Sequence, residues 1–127
     1  MDQRARRPVR LSIPAHPRML RFARVTAATL AVDLAFTLEE IEDLRVAVDE
    51  LAAAAIEGLD DSAMLDLCFE IEGTALVIDG QVVAAGPTPD LHPVAQELIN
   101  MLTDQHEFAE RDGHRTFRLV KHRSIDP

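Results

Sequence analysis

The sequence lacks several of the residues that usually reveal a function. It has one cysteine, no tryptophan, no tyrosine and only five glycines among 127 residues. The single cysteine, Cys68, excludes an intramolecular disulfide and has no second thiol with which to hold zinc. Because Cys68 lies in an apolar stretch, we expect it to be a small core residue. A reducing cytoplasm is the simplest location for such a chain.

Long hydrophobic runs are also missing. No apolar run reaches the roughly 18–20 residues that a membrane helix needs, so we expect no contact with a membrane. No apolar segment follows the basic start of the chain, which argues against a secretory signal. The hydrophobic fraction of 47% is typical of a folded domain. We expect a basic tail over residues 1–9, one domain over residues 10–123 and a short tail over residues 124–127.

Charge is segregated along the chain. Residues 1–24 contain seven arginines and one acid, whereas residues 25–110 contain 19 acids and one arginine. An acidic body with basic ends is poorly suited to direct nucleic-acid binding, which needs clustered cations on one surface. It is better suited to a protein partner with a basic patch. The alternative is that the acidic surface serves only solubility.

Familiar catalytic motifs are absent. The five histidines have no helical i,i+4 pair and no neighbouring carboxylate cluster, so we expect no metal site. No nucleophile elbow, phosphate-binding loop or dinucleotide fingerprint occurs. One acidic pair stands out, Asp49-Glu50. If Glu50 faces a cleft, its carboxylate can act as a general base; the alternative is a solvated acid on a helix surface.

Apolar periodicity predicts two long helices near the start of the chain. Residues 17–34 repeat apolar side chains every three or four positions and carry arginines on the opposite face. Thr37 and Glu40 have the spacing of a capping box, which predicts a helix from residue 38 to Glu57, followed by Gly58.

The rest of the chain predicts strands and one short helix. Strands are expected over residues 10–13, 65–71, 75–83, 107–109 and 116–121, and a helix over residues 93–103. Gly80 predicts a weak point or bulge, and Asp112-Gly113 a turn. The order β-α-α-β-β-α-β-β predicts an α+β fold, with helices on one face of a mixed, mostly antiparallel sheet.

Three strings and this order of elements resemble the bacterial anti-sigma factor serine kinases. The strings are Phe22-Ala-Arg-Val-Thr26, Ile41-Glu-Asp-Leu-Arg-Val-Ala-Val-Asp-Glu50 and Phe117-Arg-Leu-Val-Lys-His122. The resemblance covers about residues 10 to 123. It implies the two-layer α/β sandwich of the histidine-kinase-like (GHKL) ATPases, which is the Bergerat fold, with ATP and Mg²⁺ as the family's cofactors.

The resemblance also implies roles for single residues. Glu50 matches the family's general base, but its Mg²⁺-binding asparagine is replaced by Ala54. The aspartate and glycines that contact adenine correspond to the stretch that begins at Asp79-Gly80, which departs from the family's motif. Residues 87–112 contain no glycine for a phosphate-binding lid. The resemblance therefore implies a degenerate ATP site.

The partner-binding part of the resemblance is better preserved. Arg24 matches the arginine at the family's surface for the sigma factor and its antagonist, and Arg21 lies on the same side of the helix. The alternative is an exposed helix arginine. The first strand and first helix are also where such proteins pair, which implies a homodimer.

These implications predict a degenerate anti-sigma factor. It sequesters a sigma factor and releases it when an anti-anti-sigma protein of the STAS class competes. One alternative is an active ATP-dependent serine/threonine kinase that phosphorylates its antagonist, with Glu50 as base. A second alternative is a scaffold or dimerisation module without either activity, and a third is a regulator joined to other signalling.

Overall fold

The structure is a computed structural model that describes residues 7–84 and 88–124. Its elements follow the predicted order. They are β1 (Val9–Pro14), α1 (Leu20–Asp33), α2 (Leu38–Ile56), β2 (Met64–Glu72), β3 (Ala75–Val83), α3 (Pro93–Leu102), β4 (Gln105–Arg111) and β5 (His114–His122). Most of both predicted tails, residues 1–6 and 125–127, lies outside the described residues, whereas Val9 already belongs to β1.

The strands form one sheet in the order β1-β2-β3-β5-β4. The α+β sandwich is confirmed, but the expectation of a mixed sheet is corrected, because every described pairing is antiparallel. The two tight hairpins β2–β3 and β4–β5 make the strands that they join antiparallel. In the second hairpin, Asp112 and Gly113 both have positive φ, as a two-residue turn of the primed type requires.

One face of the sheet packs against the helices. In β2, Leu65, Leu67 and Phe69 are buried, while Asp66 between them is exposed on the other face. Cys68 shares the face of Asp66 and is only half-buried, so the expectation of a core cysteine was wrong. Partial burial raises the pKa of the Cys68 thiol. The face away from the helices is called the open face below.

Helices α1 and α2 pack side by side through small residues. A 3₁₀ turn over Pro17–Met19 precedes α1, so the α-helix itself begins three residues later than the sequence predicted. Both helices have fully buried alanines: Ala23, Ala27, Ala31, Ala47, Ala52 and Ala55. Small side chains let two helix axes approach closely, which fixes the groove between these helices.

The predicted capping box at the start of α2 is confirmed. The Thr37 hydroxyl accepts a hydrogen bond from the Glu40 N–H at 3.1 Å, and the Glu40 carboxylate accepts one from the Thr37 N–H at 2.7 Å. The second carboxylate oxygen of Glu40 accepts from the Ser124 N–H at 2.6 Å. One side chain therefore caps the helix and holds the end of β5 near it.

Three cations, on β5 or just after it, cap the C-terminal ends of α1, α2 and α3. Arg115 is buried and donates to the carbonyls of Ala55 and Glu57 at the end of α2, at 3.0 and 2.7 Å. Lys121 donates to the last carbonyl of α3 at 2.8 Å, and Arg123 to the C-cap carbonyl of α1 at 3.3 Å. Cations at these positions satisfy free carbonyls and complement the helix dipole.

Removal of the Arg115 guanidinium tests how much the cap of α2 contributes to the stability of the protein. Arg115→Met leaves the buried Ala55 carbonyl and the half-buried Glu57 carbonyl without this donor, so we expect the free energy of unfolding to fall by about 1–3 kcal/mol. The control is Arg118→Met, also on β5, whose exposed ion pair with Asp79 is expected to contribute less than about 1 kcal/mol. Urea unfolding followed by circular dichroism measures both. Equal losses would contradict this role for Arg115.

A second test concerns Ala35, which has a positive φ of 61° after the end of α1. The Phe36 N–H donates to the Ala31 carbonyl and the Ala35 N–H to the Val32 carbonyl, a Schellman cap in which glycine is preferred. We expect Ala35→Gly to stabilise the protein by about 1 kcal/mol, because the left-handed conformation strains alanine. Ala28→Gly, within α1, is expected to destabilise it by about 1 kcal/mol. Destabilisation by Ala35→Gly in the same urea assay would refute the explanation.

Candidate functional site

An ion pair joins the two long helices at the proposed partner surface. Arg24 of α1 donates from Nη1 to Oδ1 of Asp49 in α2 at 2.5 Å. The side chains are 32% and 43% exposed, so the pair lies at the rim of the helix interface and is accessible to a competing carboxylate. Arg24 is therefore held in a fixed position, with its remaining N–H donors outside this contact.

Glu50 and Ala54 lie together, as their spacing of one helical turn requires. Both line a cavity of about 310 Å³ between α2 and the residues that lead into α3. The described lining residues are Glu50, Ala53, Ala54, Glu57, Asp90, Leu91, His92 and Ala95. Glu50 also borders a smaller groove that Arg24 and Asp49 line, so it lies on the ridge between the two sites.

The electrostatics of the Glu50 cavity oppose a nucleotide triphosphate. Three carboxylates, those of Glu50, Glu57 and Asp90, line it, and its described lining includes no lysine or arginine. A polyphosphate placed there meets like charge without a compensating cation, which costs free energy in a partly enclosed site. The residues that line this cavity therefore do not fit ATP.

The same cavity lacks an oxygen ligand for Mg²⁺ at position 54. Magnesium prefers oxygen ligands in octahedral geometry, and Ala54 supplies none at the position where the resemblance implies an asparagine. Within residues 7–84 and 88–124, no group of three or more histidine, cysteine or acidic side chains is arranged to hold a metal ion.

The other two residues that the resemblance assigned to the nucleotide lie elsewhere. Asp79 is on the open face of the sheet, where its carboxylate pairs with Arg118 at 3.0 and 3.5 Å. Gly80 is buried opposite Phe117 in a regular strand ladder, not in a bulge. A Cβ at Gly80 would lie 2.3 Å from a Phe117 ring carbon, so glycine is needed there for packing. The structure therefore does not bring Asp79 together with Glu50.

A groove at the start of α1 is strongly basic. Its described lining consists of Pro17, Arg18, Met19, Arg21 and Arg24, and its volume is about 490 Å³. The Arg21 guanidinium lies 5.0 Å from the centre of the Phe22 ring, a cation–π contact. The structure thus brings Arg21 and Arg24 to one groove, and their role in binding a partner stays a prediction.

Sequence reasoning missed three residues that shape these sites. Asp49 was noted only beside Glu50, and no local pattern links it to Arg24, 25 residues earlier. Asp90 and His92 come from the loop before α3. Pro93 signalled the helix start and therefore its N-cap, His92, whose Nδ1 accepts from the Val94 N–H at 3.1 Å.

Comparisons with known proteins agree with this architecture. No family model matches the chain. A stretch of 60 residues, 46% of the chain, is 42% identical to the anti-sigma F factor of Clostridium acetobutylicum and covers 42% of that protein. The fold is similar to the crystal structure of the RsbU and RsbW domains of Rv1364c from Mycobacterium tuberculosis, with a TM-score of 0.70 and 14% identity. That match covers 94% of this chain and 33% of the other.

The fold is thus the two-layer sandwich of the histidine-kinase-like ATPases. The predicted resemblance to the anti-sigma factor serine kinases is supported by both the shared sequence segment and the shared architecture. The chain spans less than half the length of each of these relatives. None of the described helices combines the length and apolarity that crossing a membrane requires.

The composition of the Glu50 cavity yields a prediction about nucleotides. Calorimetric titration with ATP and Mg²⁺ is expected to give no saturable heat at millimolar nucleotide, because the lining carboxylates repel the phosphates. Ala54→Asn supplies the metal ligand that the resemblance implies. We expect this variant still not to bind ATP, because the carboxylates of Glu57 and Asp90 remain in the cavity. Micromolar binding by the unmodified chain would show that groups other than these residues form a working site.

Proposed function

We propose that this protein is an anti-sigma factor that binds and sequesters a sigma factor in the bacterial cytoplasm. The observation that carries the proposal is the segment 42% identical to an anti-sigma F factor. A bound sigma factor cannot offer the same surface to RNA polymerase, so binding alone is sufficient for inhibition.

The proposed release mechanism is competition by a STAS-type anti-anti-sigma protein. Two partners that share one surface exclude each other according to their affinities, and no phosphate transfer is needed. The acidic cavity beside Glu50 and the missing oxygen ligand at Ala54 support this mechanism over a kinase cycle. The active-kinase alternative, with Glu50 as general base, predicts phosphate transfer to the same partner.

The groove around the Arg24–Asp49 pair is the proposed site of competition. An incoming carboxylate can replace Asp49 on Arg24, so one ion pair is exchanged for another while the guanidinium stays in place. Arginine suits this role because its planar fork can bind a carboxylate through two N–H donors. Arg21 lines the same basic groove and adds to its positive potential.

The homodimer implied by the resemblance remains part of the proposal. Strand β1 is at one border of the described sheet, so its outer backbone groups have no strand partner there. Two such edges can pair across a twofold axis. Light scattering on the purified protein measures whether two chains associate.

The central experiment is capture and release. The tagged protein is incubated with each sigma factor of its source genome, and a captured complex is then challenged with the STAS proteins of that genome, with and without ATP. We expect one sigma factor to be captured and to be released equally well without ATP. Failure to bind any sigma factor would leave the scaffold alternative, and ³²P transfer to the STAS protein would establish the kinase alternative.

The same assay tests the role of Arg24. Arg24→Glu removes the cation and adds a fourth carboxylate to a groove already lined by Glu42, Asp49 and Glu50, so we expect affinity for the sigma factor to fall at least tenfold. Arg24→Met, which adds no charge, separates loss of binding from local repulsion. The control is Arg111→Glu on β4, which carries the same charge change at an exposed site. Unchanged affinity for both Arg24 variants would remove Arg24 from the interface.

A further inference from the structure

Strand β4 forms the border of the sheet opposite β1. It pairs with β5 over all seven of its residues, in a continuous register without a bulge. In an antiparallel pair, alternate residues direct their N–H and C=O groups toward the partner strand and away from it. Among the described residues, no backbone hydrogen bond outside this ladder reaches residues 105–111. The outer backbone groups of β4 can therefore pair with a further strand.

A groove lies beside this edge. Its described lining consists of residues 106–110 of β4, residues 88–91 of the loop before α3, and Gln96 of α3. Its volume is about 650 Å³, and five residues of a strand are about 17 Å long. The Thr88 hydroxyl is buried and has no hydrogen-bond partner within the described residues. This space, called the edge groove below, can accommodate a short extended peptide and contains an unsatisfied polar group.

Strand β4 lacks the features that usually close a sheet edge to partners. Natural edge strands are often very short, bulged, or protected by proline or lysine. Strand β4 has seven residues, contains neither proline nor lysine, and pairs regularly from Gln105 to Arg111. The opposite border differs, because β1 has six residues and ends at Pro14. The charged side chains of β4 therefore decide which partners its edge accepts.

The edge groove is acidic. The carboxylates of Asp90, Glu107 and Glu110 line it, and its described lining includes no lysine or arginine. Glu107 makes only a long contact with Arg111, at 3.6 Å. Opposite charges on neighbouring strands stabilise their pairing, and like charges oppose it. The edge groove therefore favours a strand that carries lysine or arginine.

One part of the edge groove is apolar. Phe108 lies opposite the buried Phe117 in the strand ladder, so it is on the face of the sheet that carries the helices. Leu91 also lines the groove, and both side chains are partly buried and pack against the core. An added strand would place one side chain over Phe108, where an apolar residue gains most from burial. The neighbouring positions of that strand would face the carboxylates.

We propose that the edge groove binds an extended, basic segment of a partner protein, which adds to the sheet as a strand paired with β4. The backbone hydrogen bonds of strand addition supply affinity, and the side chains on alternate positions supply specificity. The matching segment has an apolar residue over Phe108 and lysine or arginine one or two positions away, opposite Glu107 and Glu110. The edge groove shares no lining residue with the groove at Arg24, so this inference does not depend on the proposed function.

A second copy of the chain fits this edge less well. Residues 88–111 contain five acids and one arginine, so two β4 edges would bring like charges into one groove. Strand β1 contains no acid, so this local argument does not oppose the homodimer proposed through β1. Pairing through β1 also leaves both β4 edges open, because β1 and β4 lie at opposite borders of the sheet.

Selection of peptides on the whole protein tests the expected chemistry. The immobilised protein is used to enrich a phage library of random short peptides, and the affinity of a labelled synthetic copy is measured by fluorescence anisotropy. We expect the enriched peptides to have an apolar residue with lysine or arginine one or two positions away. We also expect them to lack proline, which cannot donate to a strand ladder. Enrichment of no peptide, or of acidic peptides, would overturn the proposal.

Methylation of the peptide backbone tests for strand addition. Each N–H of the enriched peptide is replaced by N–CH₃ in turn, with the protein unchanged. Only alternate residues of an added strand donate to β4, so we expect loss of binding at every second position and little effect at the positions between. A helical peptide, or one held by its side chains alone, gives no such alternation. Its absence would exclude strand addition.

A charge variant of β4 tests the role of the carboxylates. Glu107→Gln with Glu110→Gln is expected to weaken binding of the enriched peptide by about tenfold and to reduce its dependence on salt. The control is Asp61→Asn with Glu97→Gln, which removes the same charge at exposed positions outside the groove. Thermal unfolding of both variants is expected to match the unmodified protein. Equal affinities of the two variants for the peptide would overturn recognition by these carboxylates.

Two further measurements separate this inference from the other proposals. Light scattering with and without the peptide tests for a second copy at β4: a dimer that the peptide dissociates would give this edge a different occupant and overturn the inference. Capture of a sigma factor is measured on the same protein. Failure of capture, together with alternating N-methyl effects, would contradict the proposed function and leave this inference supported.

Discussion

Helices α1, α2 and α3 are all capped by cations from β5 and the residues just after it, and β5 lies inside the sheet between β3 and β4. Arg115, Lys121 and Arg123 extend from β5 and its end to the C-terminal carbonyls of α2, α3 and α1, respectively. Each contact satisfies carbonyls that the helix cannot satisfy itself. Arg115 is buried, so its contact is also shielded from water and salt. Through these cations, the end of the chain fixes the helix layer on the sheet.

This arrangement explains the charge segregation along the chain. The basic residues after position 110 serve largely the fold, because three of the five donate to helix ends. The basic residues at the start of α1 are different, since Arg18, in the preceding 3₁₀ turn, and Arg21 line a groove. Two clusters of like charge therefore differ in their contacts: the one after position 110 caps helix ends, and the one at the start of α1 lines a groove.

Local patterns predicted the elements well because their causes are local. The Thr37–Glu40 box and the Asp112-Gly113 turn each act over a few residues, and both occur as expected. The contacts that assemble the site are different, because they join distant positions: Arg24 with Asp49, and Arg115 with Ala55. The alternation of side chains along β3 is one further sequence pattern that bears on the site. It places Asp79 on the face of Cys68, away from the helices, which separates Asp79 from Glu50.

Asp49 and Glu50 are neighbours on α2 and connect the groove at Arg24 with the acidic cavity. Asp49 contacts Arg24 on the proposed partner surface, while Glu50 lines the acidic cavity. Because consecutive helix residues point about 100° apart, the two carboxylates serve different grooves from one rigid element. Residues of the cavity can therefore change, as at Ala54, without altering the position of Arg24. The proposed loss of nucleotide binding is therefore compatible with the proposed partner surface around Arg24.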